Sequence, residues 1–241
     1  MATHGDESED EVASQASTLS DPVPPMASVI SRLQEATCEK PVLISFARNR
    51  TVRPAIVEET ALSAVSKYFL RCFDIANPYA YFKEGEVRRF TFADHTPETI
   101  KAFLFWLEMK AIPGLDDLGT GAVITQSEYQ TLLARAWCFA ADKEVKSMQN
   151  DVVRSLFKSF YRHDMEQDVL QEVIKLSRQG CELKRLVLEE ALWLEEDGNE
   201  LFEGLEVEHV VGWSYDMIAA RRAYEQRHRR RGEVEAYLVE V

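Results

Sequence analysis

Phe90-Thr91-Phe92-Ala93-Asp94-His95-Thr96-Pro97-Glu98-Thr99-Ile100-Lys101-Ala102-Phe103-Leu104 decides how the rest of this chain is read. Its first part alternates, with Phe90 and Phe92 on one side, as a short half-buried strand does. Thr96 then supplies a side-chain oxygen for a helix N-terminus. Pro97 fits the first helical position, where no N–H is needed, and Glu98 adds a carboxylate to the positive end of the helix. Beyond it Ile100, Phe103, Leu104 and Leu107 repeat at helical spacing, while Phe105, Trp106 and Met109 cover much of the other side. A helix apolar nearly all round is a core helix. Ile112-Pro113-Gly114 is expected to end it.

Working outward toward the N-terminus, Val42–Phe46 and Thr51–Val57 flank Asn49-Arg50 and read as two short strands around a polar turn. Arg53-Pro54 makes the second an edge or a bulge, because proline cannot donate to a ladder. Thr60–Ser66 and Lys67–Phe73 have helical spacing and precede the breaker Asn77-Pro78. Toward the C-terminus, a Gly/Asp-rich loop leads to Ser127-Glu128-Tyr129-Gln130, which has the form of a capping box. Apolar residues at helical spacing follow through Leu156, again at Val169–Ile174 and Leu183–Leu192, and finally over Val210–Arg231.

The chain has 241 residues, 46% of them apolar, enough for one domain with extensions. Residues 1–25 are rich in Asp, Glu, Ser, Ala and Pro and offer almost no large apolar side chain to bury, so a disordered acidic tail is expected there. Residues 26–40 form an amphipathic segment in which Val29, Ile30 and Leu33 make an apolar stripe. A domain over 41–160 and a helical extension over 161–241 complete the division.

Charge narrows the function classes. The net charge is −13, from 28 basic and 41 acidic residues, which disfavours nonspecific binding to phosphates, so nucleic acid is not an expected partner. The ends differ in sign: 1–40 holds eight carboxylates against Arg32 and Lys40, whereas 221–231 holds Arg221, Arg222, Arg227, Arg229, Arg230 and Arg231 against Glu225. That cluster is a candidate contact for an acidic partner, or equally a solvated helix end where cations suit the dipole. No apolar run reaches the ~20 residues needed to span a bilayer. The first residues lack the basic flank and apolar stretch of a signal peptide, so a reducing cytoplasmic or nuclear location is expected.

Motifs for chemistry are missing. No phosphate loop, dinucleotide-binding glycine pattern, G-x-S-x-G or H-E-x-x-H is present, and Gly119-Thr120-Gly121 reads as a flexible loop. Cys38, Cys72, Cys138 and Cys181 are far apart and sit among apolar neighbours, as buried free thiols do. His4, His95, His163, His209 and His228 have no ligand spacing, and Glu189-Glu190 and Glu195-Glu196-Asp197 read as solvated helix faces. No catalytic residue, cofactor or metal is expected, and the chain is read as a non-enzyme.

The order strand, strand, helical hairpin, strand, run of helices resembles the BTB/POZ family, and three stretches carry the likeness. Leu62-Ser63-Ala64-Val65-Ser66-Lys67-Tyr68-Phe69 resembles that family's L-x-x-x-S-x-Y-F turn, and residues 90–104 its strand-to-long-helix junction. Trp137-Cys138-Phe139-Ala140-Ala141-Asp142-Lys143-Glu144-Val145 is similar to its A-x-x-F-x-x-apolar step. The style is that of the short fungal BTB proteins without kelch or zinc-finger modules. Three places depart from the pattern: Glu58 stands where the family often has His, Trp106-Leu107-Glu108-Met109-Lys110 replaces its aromatic-Tyr-Thr-Gly, and Ile100-Lys101-Ala102 lacks the Glu of the cullin-binding triplet.

The resemblance implies an α+β fold, a small three-stranded sheet capped by a helical bundle, with an all-α C-terminal extension. It implies a protein-interaction module, self-associating as a homodimer and in some relatives bridging substrates to a cullin-type ubiquitin ligase. Val29, Ile30 and Leu33 are the candidate dimer contact, since an apolar stripe must be covered by its own domain, a twin or a foreign protein. A nuclear regulator recruited through the Arg-rich end is the alternative reading.

Overall fold

The computed structural model describes residues 23–46, 52–74, 76, 87–118, 124–207, 210–227 and 232–241. Among them the chain is α+β, a small mixed sheet with helices packed around it. β1 (Pro41–Ser45) lies in the middle, antiparallel to β2 (Ala55–Glu58) and parallel to β3 (Arg89–Thr91). Val42 faces Val57 and Ile44 faces both Ala55 and Phe90. These five side chains are buried, so one face of the sheet is the floor of the core. β2 is shorter than its sequence suggests. It starts only after Arg53-Pro54, because proline has no N–H for the ladder with β1.

A parallel pair needs a crossover, and α2 (Glu59–Val65) with α3 (Lys67–Phe73) supplies it. The two helices are separated by Ser66, which is extended at φ −151° and ψ 127°. Its hydroxyl accepts from the Phe69 N–H at 3.3 Å, capping α3, and donates to the Lys143 carbonyl. This directs Phe69 into an aromatic cluster, 5.3 Å from Phe90 and 6.0 Å from Phe103 between ring centres. Phe139 closes the cluster at 5.1 Å from Phe92 and 5.0 Å from Phe103.

Residues 90–104 fold as their local signals dictate. Thr96 caps α4 (Pro97–Met109) by accepting from the Thr99 N–H, and eight residues of this helix, Ile100 and Phe103 to Leu107 among them, are buried. The end differs from expectation: the helix stops before Ile112-Pro113, where Lys110 takes a left-handed conformation (φ 52°) and its N–H bonds back to the Trp106 carbonyl. A second difference lies at the next helix. Thr125, not Ser127, caps α5 (Gln126–Asp142), in a reciprocal box with Glu128. Ser127 is inside the first turn and buried.

The apolar stripe of the amphipathic segment belongs to this same core, which corrects the candidate dimer contact. In α1 (Met26–Glu35) Val29 is fully buried, and Ile30 and Leu33 are each 6% exposed. The helix packs on β2 and α4 of its own chain. The three side chains are therefore covered within their own chain. The rest is helical: α6 (Lys146–Arg162) beside α5, α7 (Gln167–Leu176) on α5, and α8 (Glu182–Glu196) against α7 and α9 (Trp213–Gln226). One continuous apolar core runs through all of them. The expected acidic tail falls on residues that, up to 22, lie outside those described, as do Asn49-Arg50, Asn77-Pro78 and Gly119-Thr120-Gly121. Among the described residues no helix is long and apolar enough to cross a membrane.

Candidate interaction surface

α9 carries the one candidate contact from the sequence that remains on the surface. Gly212 precedes it at φ 78°, a left-handed conformation that favours glycine. From there the helix divides into two faces. Asp216, Ala220 and Tyr224, four residues apart, point at α8 and are buried. Asp216 accepts from the Gly180 N–H at 2.9 Å and lies 3.4 Å from Lys184 Nζ, while the Tyr224 hydroxyl donates to Glu196 at 3.0 Å. These polar anchors fix the rotation of α9 and hence what it presents outward.

The outward face holds Tyr215, Ile218 and Arg222 at helical spacing, flanked by Arg221. Tyr215 is 63% exposed and Ile218 54%, and Val211, just before the helix, is 82% exposed. Single exposed apolar residues are ordinary, but a Tyr–Ile pair beside exposed arginines has the composition of an interface centre. Among the described residues neither the Arg221 nor the Arg222 guanidinium makes a hydrogen bond or ion pair. Arg221 borders a shallow hollow with Glu195, Glu196 and Glu225, which offset part of its field. Beneath the start of α9 a cleft of about 930 Å³ opens beside Val211, with Lys184 and Ile174 inside and Lys175 and Arg178 in its wall.

The arginine cluster is not one surface. Arg227 turns inward, makes an ion pair with Glu189 of α8 and donates to the Tyr237 hydroxyl at 3.4 Å. Arg229, Arg230 and Arg231 lie outside the described residues. Glu189 and Glu190 are a second correction: both are buried, at 3% and 5% exposure, where periodicity put them in solvent. The reason is non-local. Residues 232–241 return over α8 and α6 and roof the face that would otherwise be wet, with Tyr237 donating to Glu189 Oε2 at 2.6 Å. Nothing local marks this; Tyr237 is 48 residues from its partner. The Glu195–Asp197 run does lie half-exposed to exposed.

His95 stands edge-on to Phe139, 4.9 Å between ring centres, and 3.8 Å from Asp142. Burial, then Lys143, holds its pKa below the usual histidine value against the opposing pull of Asp142 and Asp94. The four cysteines are free thiols. Burial pushes Cys138 up to about 12, and burial together with the Glu58 carboxylate pushes Cys38 up to about 11, the reverse of what a nucleophile needs. Among the described residues no group of three or more His, Cys, Asp or Glu side chains is placed to hold a metal ion. His4, His209 and His228 lie outside those residues. Comparison with protein-family models, curated proteins and solved structures finds no match to this chain.

Proposed function

We propose that this chain is a self-associating protein-interaction module of BTB/POZ-like kind that engages an acidic partner protein through the outer face of α9. The observation that carries the binding surface is the juxtaposition of exposed Tyr215 and Ile218 with Arg221 and Arg222 on one helix face held in register by buried polar anchors. Burying the aromatic and aliphatic side chains supplies the driving force. The guanidiniums give fork-shaped donors that favour carboxylates, so specificity and affinity come from one patch. The BTB/POZ-like part is supported by the element order β1, β2, α2–α3, β3, α4 and by the small sheet under helices. Function on this reading is binding, with no chemical step.

The cullin-adaptor version draws support from the paired helices α7 and α8 that follow. It is weakened at the triplet in α4, where Ile100 and Ala102 are both buried and only Lys101 reaches the surface. A nuclear regulator held by its basic end is favoured by the exposure of Arg221 and Arg222, and is the second reading. Affinity purification separates them. Wild type is compared with a Tyr215→Ser/Ile218→Ser/Arg222→Glu variant, retained proteins are quantified by mass spectrometry, and the leading one is purified and rebound at low and high salt. The expected partner is acidic, is lost from the variant and binds more weakly at high salt. A cullin among the retained proteins assigns the adaptor version. Identical partners for wild type and a folded variant overturn the α9 surface.

A further inference from the structure

Residues 232–241 are held in a way that resembles a bound peptide more than an element of the core. Asn150 of α6 offers its side-chain amide to both backbone groups of Val239: Nδ2 donates to the carbonyl at 2.9 Å and Oδ1 accepts from the N–H at 2.7 Å. Arg185 of α8 donates to the Ala236 carbonyl and lies over the Tyr237 ring, 5.3 Å from its centre. Tyr237 itself is 1% exposed, with its hydroxyl on the buried carboxylate of Glu189. Among the described residues the segment joins no sheet, and its backbone hydrogen bonds to the rest of the chain come from two side chains.

The receiving wall therefore has two parts. Asn150 reads only the backbone of Val239, whereas Arg185 reads the Ala236 carbonyl and the face of the Tyr237 ring. The Glu189 recess takes a tyrosine two residues before the position read by Asn150. Gly232 marks where the segment enters, since a Cβ there would overlap the Tyr237 hydroxyl. At the other end Glu240 and Val241 are in solvent.

We propose that the α6–α8 groove is a peptide-recognition site that residues 232–241 fill within their own chain, and that the same segment of a second copy fills it between chains. This gives the self-association proposed above a site, each copy contributing the tyrosine that completes the other's recess, and it rests on that part of the reading. Segment exchange of this kind needs no new contact, because the groove already fits its occupant. A groove filled in cis has its apparent affinity for an added peptide reduced by the fraction of time it is open.

The test uses full-length chains and a labelled synthetic peptide, Gly232–Val241. Val239→Pro removes the N–H that Asn150 accepts and so loosens the resident segment while leaving the wall intact; Tyr237→Phe, lacking only the hydroxyl, serves if that variant does not fold. By anisotropy the peptide is expected to bind the loosened variant about tenfold or more tighter than wild type. Adding Asn150→Ala to that variant reverses the gain, and a peptide carrying Tyr237→Ala competes poorly. Two differently tagged wild-type copies, unfolded and refolded together, co-purify, and excess peptide during refolding prevents it. The proposal is overturned if the folded variant shows no saturable peptide binding, or if the tagged copies do not co-purify. Co-purification that ignores excess peptide also overturns it, and leaves self-association standing on another surface.

Discussion

Lys184 of α8 and Asp216 of α9 form an ion pair 3.4 Å apart with side chains only 2% and 4% exposed, so the two helices meet over a largely buried charge pair. Asp216 also accepts from Gly180, in the turn before α8. The pair is a fixed point of the C-terminal half, and its removal has unequal consequences depending on which partner goes.

Asp216→Ala leaves a buried ammonium without its counter-charge and the Gly180 N–H without an acceptor. The expected loss is about 3–5 kcal/mol, measured by urea unfolding. Lys184→Met with Asp216→Leu removes both charges and leaves only the Gly180 donor unsatisfied, at a cost of about 1–3 kcal/mol. A double variant as unstable as the single one would show that the pair is not held out of water.

Leu104 is fully buried in α4 beside Phe103, and Leu133 lies in the same core. Leu104→Ala is expected to cost about 2–5 kcal/mol by the same measurement, the sum of lost transfer energy and the cavity left behind. Leu70→Ala, at a residue 54% exposed on α3, is the control and should change stability by about 0.5 kcal/mol or less.

Two threonine and serine positions near the start of α5 make opposite predictions. Thr125 accepts from the Glu128 N–H and Glu128 accepts from the Thr125 N–H. Thr125→Ala should therefore cost about 1 kcal/mol in thermal or urea unfolding. Ser127→Ala removes no cap and should cost less than half of that.

The depressed pKa of His95 makes stability depend on pH with a definite sign. Its imidazole is half-buried beside Phe139 and Lys143, so the folded protein binds the proton less readily than the unfolded chain. Above pH about 6.5 both states are neutral at this residue and its contribution is full. As pH falls below that value the unfolded state takes up the proton first, and stability declines until the lowered folded pKa is reached. His95→Gln should flatten this part of the curve in urea titrations between pH 5 and 7. An unchanged slope would place the pH dependence elsewhere.

Local signals in the sequence were sufficient where the deciding physics is local. Thr96-Pro97-Glu98 starts a helix because cap, fixed φ and charge act within one turn, and Val42 and Ile44 alternate because one face of β1 is covered. Where two local signals competed, periodicity did not choose. Ser127-x-x-Gln130 and Thr125-x-x-Glu128 both fit a capping box, and the one with a carboxylate at the helix's positive end is formed. The misses share a cause. Glu189 is buried by Tyr237 and Arg227, and the α1 stripe by β2 and α4, partners distant in sequence that no window contains. For the candidate site, the sequence flagged six arginines as one feature. Only packing reveals that Arg227 is engaged inside, and that Tyr215 and Ile218 stand next to Arg222.

The parallel pairing of β1 with β3 bears on how the chain assembles itself. Leu43 meets Ile56 across a short connection, but meets Arg89 only after the α2–α3 crossover has been laid down. The first pairing closes a small loop and forms early; the second waits for a large loss of chain freedom. During synthesis a chain that has emerged only as far as α3 holds a two-stranded ribbon whose central strand is open along one edge, with Phe69 lacking Phe90 and Phe103 to receive it. That interval, ended by a strand of three residues, leaves the free edge of β1 open to pairing with the wrong neighbour.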